Sequence, residues 1–181
     1  MANADNPNGF YPYGGSGIIT TEETAAAQTI AVGDWVVLDA AGQVELATAT
    51  TPKFYGVAAS AVSASSAGDP INVYSDPLQK FIGQCSGTFA RSMLDKEVDL
   101  EGTTGIQEIN ENAVLFQVLR IVAIQPDTEI GANSRVIVQA AKPQSGNFEG
   151  DFETLDVRGA ATIGGTATVG ALTDGVATLD G

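Results

Sequence analysis

The stretch that decides the fold of this chain is residues 33–47, which reads GDWVVLDAAGQVELA. It opens with a Gly-Asp turn, continues with the bulky apolar run 35–38, and turns again at 39–42 before residues 43–47 alternate between apolar and polar. Two short β-forming runs that are separated by turn residues are typical of a β-hairpin. Residues 33–47 therefore predict two adjacent antiparallel strands.

Similar strand signals recur along the rest of the central region. Runs 54–59 and 71–75 flank a loop of small residues that ends in Gly-Asp-Pro. Residues 114–124, VLFQVLRIVAI, are apolar on both faces, which predicts a central strand buried on both sides. Residues 135–140 are expected to pair with that strand. We therefore predict an all-β domain over residues 29–142, built as a small β-barrel or a sandwich.

Residues 1–28 lack this pattern and predict an extended N-terminal arm and linker. The first part is rich in Asn, Pro, Gly and Tyr, whereas residues 21–28 are compatible with two helical turns. Phe10, Tyr11 and Tyr13 lie among turn formers, and aromatic residues on a polar arm can dock onto a neighbouring surface. We predict that these three residues bind a neighbouring subunit, and the alternative is a disordered terminus.

The composition changes after residue 142, and residues 143–181 form an acidic tail rich in Gly, Ala and Thr. A six-residue unit recurs at 159–164, 165–170 and 175–180, with Gly first, Ala third, Thr fourth and a branched aliphatic residue fifth. One chain of such units buries too little apolar surface to offset an ordering cost of about 1 to 2 kcal/mol per residue. The tail is therefore not expected to fold alone.

Three copies of the tail that met about an axis would stack their aliphatic positions inside. We therefore predict an intertwined three-stranded β-structure in a homotrimer; a left-handed β-helix and a flexible tail are the alternatives. The residues expected to pack in this trimeric tail are Ile163, Val169, Val176 and Leu179.

The charge balance argues against two classes of partner. The chain has 181 residues, of which 22 are acidic, 8 are basic and none is His, and its formal net charge is -14. A protein this acidic has no basic stripe to neutralise phosphates, so we expect no nucleic-acid partner. No apolar run is long enough for a spanning helix, and no N-terminal signal segment is visible. We expect no membrane partner and synthesis in the cytoplasm.

Residue types that carry catalysis or hold metals are scarce. Without His, the chain lacks the commonest general base and the commonest transition-metal ligand. The single Cys85 can form neither an internal disulfide nor a Cys-based zinc site, and we expect it to be a quiet core residue. No GxxxxGK[ST] phosphate loop occurs. We therefore predict that the protein is not an enzyme, with no catalytic residue and no cofactor.

Residues 94–101, LDKEVDLE, form the one acidic segment with a regular pattern. Strict alternation places four carboxylates on one face of a strand, namely Asp95, Glu97, Asp99 and Glu101. Three of them, with Gly102 and Glu108, also fit positions of a calcium-loop template. The first position of that template calls for Asp, and no amphipathic helix flanks the loop. We predict a solvated acidic strand face without a metal, and a calcium site is the alternative.

The central region carries five short blocks that share a turn-like character, at residues 32–44, 54–58, 68–73, 118–122 and 135–138. Together these blocks, spread over residues 29–142, resemble the β-barrel of head decoration proteins, also called cement proteins, of tailed double-stranded DNA bacteriophages. The tail separately resembles segments of trimeric phage fibres. Both resemblances imply a protein of the virion.

The resemblance implies a small protein that binds the outside of the mature phage head, often as homotrimers at local three-fold positions. Its partners would be the major capsid protein and further copies of itself, and it would clamp neighbouring capsid subunits against the pressure of the DNA. The N-terminal arm would then dock on a capsid or cement subunit. The tail departs from the family pattern, and the alternative function is a trimeric fibre or spike component for host-surface adhesion.

Overall fold

Two antiparallel β-sheets form the fold in the computed structural model, which describes residues 3–15 and 17–144. The strands are β1 Tyr11–Tyr13, β2 Ile19–Glu23, β3 Trp35–Leu38, β4 Val44–Leu46, β5 Gly56–Ala58, β6 Pro70–Tyr74, β7 Lys80–Gln84, β8 Glu97–Glu101, β9 Glu108–Asn110, β10 Leu119–Ile124 and β11 Arg135–Ala140. A short 3-10 turn, Arg91–Met93, precedes β8. The predicted all-β class is confirmed. Because neither sheet closes into a barrel, the sandwich alternative fits.

The strand order confirms the pairings predicted from local sequence. Sheet A has the order β1-β7-β11-β10-β8-β9, and sheet B has the order β2-β6-β5-β3-β4. The hairpin predicted over residues 33–47 is formed by β3 and β4, with Val36 opposite Leu46. Residues 135–140 pair with the preceding strand β10, as expected. One edge strand of each sheet comes from the N-terminal segment, β1 in sheet A and β2 in sheet B.

The core between the two sheets is centred on Trp35 at the start of β3. Its indole ring stacks on Phe54 with ring centroids 4.9 Å apart and meets Phe81 of β7 edge-on at 5.1 Å. Phe10 completes the cluster at 5.7 Å, also edge-on. Aromatic pairs in these geometries contribute about 0.5 to 1.5 kcal/mol beyond the area they bury. The cluster therefore joins residues of both sheets.

Sheet B encloses a second, smaller core on its other face. The N–H of Ala25 donates to the carbonyl oxygen of Val44 at 3.0 Å, so the residues that follow β2 reach the edge strand β4. The residues buried there are Ile30, Val36, Val44, Ala58, Ile71 and Val73. Because Trp35 and Val36 point into different cores, β3 is buried on both faces, which explains its unbroken apolar sequence.

The N-terminal segment differs from the predicted extended arm of residues 1–28, because it supplies an edge strand to each sheet. β1 pairs with β7, and β2 pairs with β6. Phe10 is 1% exposed and lies in the Trp35 core rather than on a surface. The space for its ring exists because Gly83 of β7 has no side chain; a Cβ there would overlap the Phe10 ring. The docking role predicted for Phe10 is therefore wrong.

Two further local predictions are wrong. Residues 21–28 do not form helical turns, because β2 is held by β6 along its whole length. The strand predicted over residues 114–124 begins only at Leu119, and Gln117 adopts a φ of 55° that an extended strand does not allow. β10 does lie inside sheet A, but Arg120 is exposed, so this strand is not buried on both sides.

The described chain ends attached to sheet B. Gln144 exchanges two hydrogen bonds of 2.9 Å with the backbone of Leu38, and Pro143 forms a bridge with Phe54. The central unit therefore includes residues 143 and 144, which had been assigned to the tail. The hexad repeats and the predicted packing residues Ile163, Val169, Val176 and Leu179 lie outside the described residues.

Replacing Phe10 by Ala is expected to lower the free energy of unfolding by about 3 to 5 kcal/mol, because it leaves a cavity beside Trp35. Tyr13→Ala, which truncates a partly exposed ring on the same segment, is the control and should cost less than about 1 kcal/mol. Urea denaturation followed by the fluorescence of Trp35 measures both. Equal and small losses in the two variants would contradict the core position of Phe10.

Candidate docking surface

The predicted solvated acidic face is formed only in part: Glu97, Asp99 and Glu101 alternate along β8, but Asp95 lies before the strand and Asp99 is buried. Asp95 has a φ of 65°, which breaks the strand alternation, and it pairs with Arg120 at 2.9 Å from Nε to Oδ1. Glu101 accepts a hydrogen bond of 2.6 Å from the Asn110 amide. Within residues 3–15 and 17–144, no group of three or more His, Cys, Asp and Glu side chains is placed to hold a metal ion. The calcium alternative is therefore not supported.

Asp99 is the clearest departure from the predicted solvated face, since it is only 4% exposed. Its carboxylate accepts backbone N–H bonds from Leu115 at 2.9 Å, Phe116 at 2.9 Å and Gln117 at 2.6 Å. Three charge-assisted bonds to consecutive residues hold the loop between β9 and β10 in one conformation. The burial of Asp99 therefore serves to order this loop.

The ordered loop presents an apolar tip to solvent. Val114 is 59% exposed and Leu115 is 80% exposed, and we call this pair the apolar knob. Exposed aliphatic residues on a backbone with fixed hydrogen bonds lose little conformational freedom when they bind. The sequence prediction missed the knob because it placed both residues in a buried strand. A polar residue, Gln117, in the middle of the apolar run was the only signal that the strand starts later.

A second exposed apolar surface surrounds β1. Tyr11 and Tyr13 are 37% and 41% exposed, so the structure keeps two of the three predicted aromatic residues on the surface. The Gln79 amide donates to the carbonyl oxygen of Tyr13 at 3.2 Å, and the N–H of Ser75 donates to that of Ile18 at 3.0 Å. These bonds join the backbone at Tyr13 and at Ile18 to the segment of residues 75–79, and exposed apolar side chains lie on all three segments. We call this surface the tyrosine edge; it consists of Tyr11, Tyr13, Ile18, Ile19 and Leu78.

Pro12 limits how the tyrosine edge can bind a partner. Along β7 the backbone groups alternate between the two neighbouring strands, and the N–H of Cys85 donates to Ser134 on the β11 side. Positions 80 and 82 therefore face β1, where they pair with Tyr13 and Tyr11. The backbone of Pro12 therefore faces away from β7, toward the open edge of the sheet. Because Pro has no backbone N–H to donate to a further strand, the addition of another strand at this edge is disfavoured. A partner must contact the side chains of this edge.

Several carboxylates lie close together between the N-terminal segment and β9. The Gln84 amide donates to Asp5 at 3.0 Å and to Glu108 at 2.9 Å. Burial raises the pKa of Glu108, and the negative charges of Asp5, Glu101 and Glu111 raise it further, against the lowering effect of the Gln84 bond. Ionised Glu108 therefore destabilises the fold at neutral pH.

Cys85 lies next to this cluster and is fully buried, which confirms the expected core position. Burial raises the pKa of its thiol well above the ordinary value, and the charges of Glu111 and Glu108 act in the same direction. A thiol that stays protonated is a poor nucleophile. The reactivity of Cys85 is therefore suppressed by its surroundings.

Comparison with known proteins provides no relative for this chain. No family model, no curated protein and no solved structure matches it. In the part of the chain that the structure describes, no helix is long and apolar enough to cross a membrane. The tyrosine edge and the apolar knob are therefore the features on which a functional interpretation rests.

Substitution Asp99→Asn is expected to lower the free energy of unfolding by about 2 to 3 kcal/mol. The amide keeps one oxygen for three backbone donors and turns its own NH₂ group toward them. Glu97→Gln on the same strand is the matched control, and it should change stability by less than about 0.5 kcal/mol. Urea denaturation measures both variants. A similar small effect in the two would show that Asp99 does not order the loop.

Substitution Glu108→Gln is expected to raise the melting temperature at pH 7 by about 1 to 3 °C, because it removes the repelling charge and keeps an acceptor for Gln84. A raised pKa in the folded state means that the native protein binds the proton more tightly than the unfolded chain. The penalty of ionised Glu108 is therefore complete above its folded pKa and disappears as the pH falls below the ordinary value of 4.5.

Thermal melts of the variant and the natural chain should consequently converge as the pH is lowered from 7 to below that value. Glu45→Gln removes the same charge from sheet B and controls for the change in net charge. A constant difference between Glu108→Gln and the natural chain at all pH values would contradict this account.

Proposed function

We propose that this chain is a structural protein of a bacteriophage particle: a head decoration, or cement, protein on the outer capsid surface. It binds the major capsid protein and stabilises the contacts between neighbouring capsid subunits, and it performs no catalysis. The observation that carries the proposal is the tyrosine edge, exposed aromatic and aliphatic side chains whose two tyrosines lie on β1, a strand that Pro12 closes to further strands. The resemblance of residues 29–142 to cement proteins supports the same assignment.

The physical properties of the surface fit attachment to a shell. Tyr side chains are enriched at interfaces because they bury a large ring and keep a polar hydroxyl for hydrogen bonding. A net charge of -14 makes free copies repel one another, which keeps them from associating before they attach to a shell. Each bound copy shifts the equilibrium toward the assembled shell, and many weak contacts act together.

A trimeric fibre or spike component for host-surface adhesion is the second candidate. The hexad repeats within residues 143–181 favour it, because a chain of such units buries enough apolar surface only in company with other copies. A cement protein covers the lattice, whereas a fibre or spike occupies a few defined positions. The two candidates therefore differ in the number of copies on each particle.

Quantitative mass spectrometry of purified particles measures that number relative to the major shell protein. Hundreds of copies per particle are the expected result for a cement protein. A few dozen copies would favour the fibre or spike, and the absence of the chain from particles would overturn both candidates.

The double substitution of Tyr11 and Tyr13 by Ser is expected to weaken binding to particles stripped of this protein by about ten- to thirty-fold, since aromatic anchors dominate interface energies. Ile130→Ser changes an exposed residue away from the tyrosine edge and is the control. Equilibrium pelleting of the variants with stripped particles measures binding, and a melting curve verifies folding. Deletion of residues 2–16 does not test the tyrosine edge, because it also removes the buried Phe10 and the edge strand β1 and would therefore disturb the fold. Unchanged binding of the double variant would contradict the role of the tyrosine edge.

A further inference from the structure

A polar pocket lies on the outer face of sheet A, at the turn of the β10–β11 hairpin. Val136 is buried in the Trp35 core, so Arg135, its neighbour along β11, lies on the opposite face of the sheet. The pocket has a volume of about 340 Å³ and is lined by residues 3–4, 125–128 and Arg135. A volume of this order is at the small end of known ligand sites, so the pocket has room for one small molecule.

The walls of the pocket are held together by the side chain of Asn3. Its NH₂ group donates to the carbonyl oxygens of Glu129 at 2.7 Å and Ala132 at 3.0 Å. Its oxygen accepts hydrogen bonds from the Thr128 hydroxyl at 3.2 Å and from the N–H of Glu129 at 3.1 Å. The Thr128 hydroxyl in turn accepts the backbone N–H of Arg135 at 3.0 Å. The pocket is therefore built by the folded structure.

Arg135 supplies the positive charge of the pocket. Among the basic residues that the structure describes, Arg135 alone is half-buried, and the others are exposed. Arg120 pairs with Asp95, whereas the guanidinium of Arg135 forms no ion pair and no hydrogen bond with a described residue. A half-buried charge without a partner costs free energy. The site therefore favours an anionic group that comes from outside the described chain.

Gln125 lies directly beside Arg135. Its backbone N–H donates to the carbonyl oxygen of Arg135 at 3.1 Å, which continues the ladder in which Ile124 pairs with Val136. Opposite residues of an antiparallel pair project from the same face, with Cβ atoms about 5 Å apart. The Gln125 amide forms no hydrogen bond with the described chain, and its Oε1 is buried, so the NH₂ group is available next to the guanidinium. These two donor groups suit the two oxygens of a carboxylate.

Asp127 lines the same pocket and restricts the kind of ligand that fits. Its carboxylate is exposed, has only acceptor oxygens and repels a simple anion. A ligand that carries a hydroxyl or ammonium group beside its carboxylate offers a donor to Asp127 and an anion to Arg135. Sugar acids and amino acids both have this combination of groups.

We propose that this pocket binds a small carboxylate that also carries a hydrogen-bond donor, either a sugar acid or an amino acid. The ligand's carboxylate contacts Arg135 and Gln125, and its donor contacts Asp127. Binding is independent of the capsid role proposed above, because the pocket contains no residue of the tyrosine edge.

Nuclear magnetic resonance titration of the full ¹⁵N-labelled chain tests the proposal, with glucuronate and alanine as separate probes. The amide signals of Gln125, Asp127 and Thr128 are expected to shift with a Kd on the order of 1 mM for one of the two probes. Tighter binding of glucuronate identifies the donor as a hydroxyl, and tighter binding of alanine identifies it as an ammonium group. Acetate lacks the donor and glucose lacks the carboxylate, so both should bind at least about tenfold more weakly.

Variants of Arg135 test where the ligand binds. Arg135→Gln should weaken binding at least about tenfold and leave the melting temperature within about 2 °C, because the guanidinium has no partner among the described residues. Arg135→Lys keeps the charge without the planar donor group and should recover only part of the affinity. Arg91→Gln removes the same charge at an exposed position and is the matched control.

Three results would overturn the proposal. The first is that neither glucuronate nor alanine shifts the signals of the pocket. The second is that acetate or glucose binds as well as both probes. The third is that Arg135→Gln binds the probe no more weakly than Arg91→Gln does.

Discussion

The packing of Trp35 against three phenylalanine rings is the interaction on which the rest of the structure depends. Phe81 reaches it from sheet A, Phe54 stacks on it, and Phe10 enters from the segment before β1. The backbone N–H of Trp35 donates to the side-chain oxygen of the buried Gln107 at 2.6 Å, and the Gln107 NH₂ group donates to the carbonyl oxygen of Ala47 at 2.8 Å. These bonds tie the segment before β9 to β3 and to the end of β4, so the same residue organises both sheets.

The position of Phe10 determines what the N-terminal segment exposes. Once its ring lies over Gly83, the alternation of β1 turns Tyr11 and Tyr13 to the opposite face, where they remain partly exposed. Pro12 then lies on the outer side of the edge strand, where its missing N–H breaks no ladder bond. A single buried ring thus produces a surface suited to side-chain contacts and closed to strand addition.

Two buried carboxylates, Asp34 and Asp99, hold the backbone of loops in this structure. Asp34 accepts backbone N–H bonds from Ala31 and Gly105, and Asp99 accepts three beneath the apolar knob. Burial raises the pKa of Asp34, and the two N–H bonds oppose that effect. Each of these two loop regions therefore owes its fixed backbone to an acidic side chain that binds backbone donors. An excess of carboxylates is compatible with a stable fold when such donors are supplied.

The sequence by itself determined the all-β class, the hairpin of residues 33–47 and the partner of β11, because these depend on turn residues and apolar patterns within a short stretch of chain. It also indicated that Tyr11 and Tyr13 are surface residues. The tertiary structure alone decided that Phe10 is buried, that Asp99 orders a loop and that Leu115 is exposed. Each of these depends on a residue distant in sequence, such as Gly83 for Phe10, and local periodicity contains no information about which distant backbone provides space or hydrogen-bond donors.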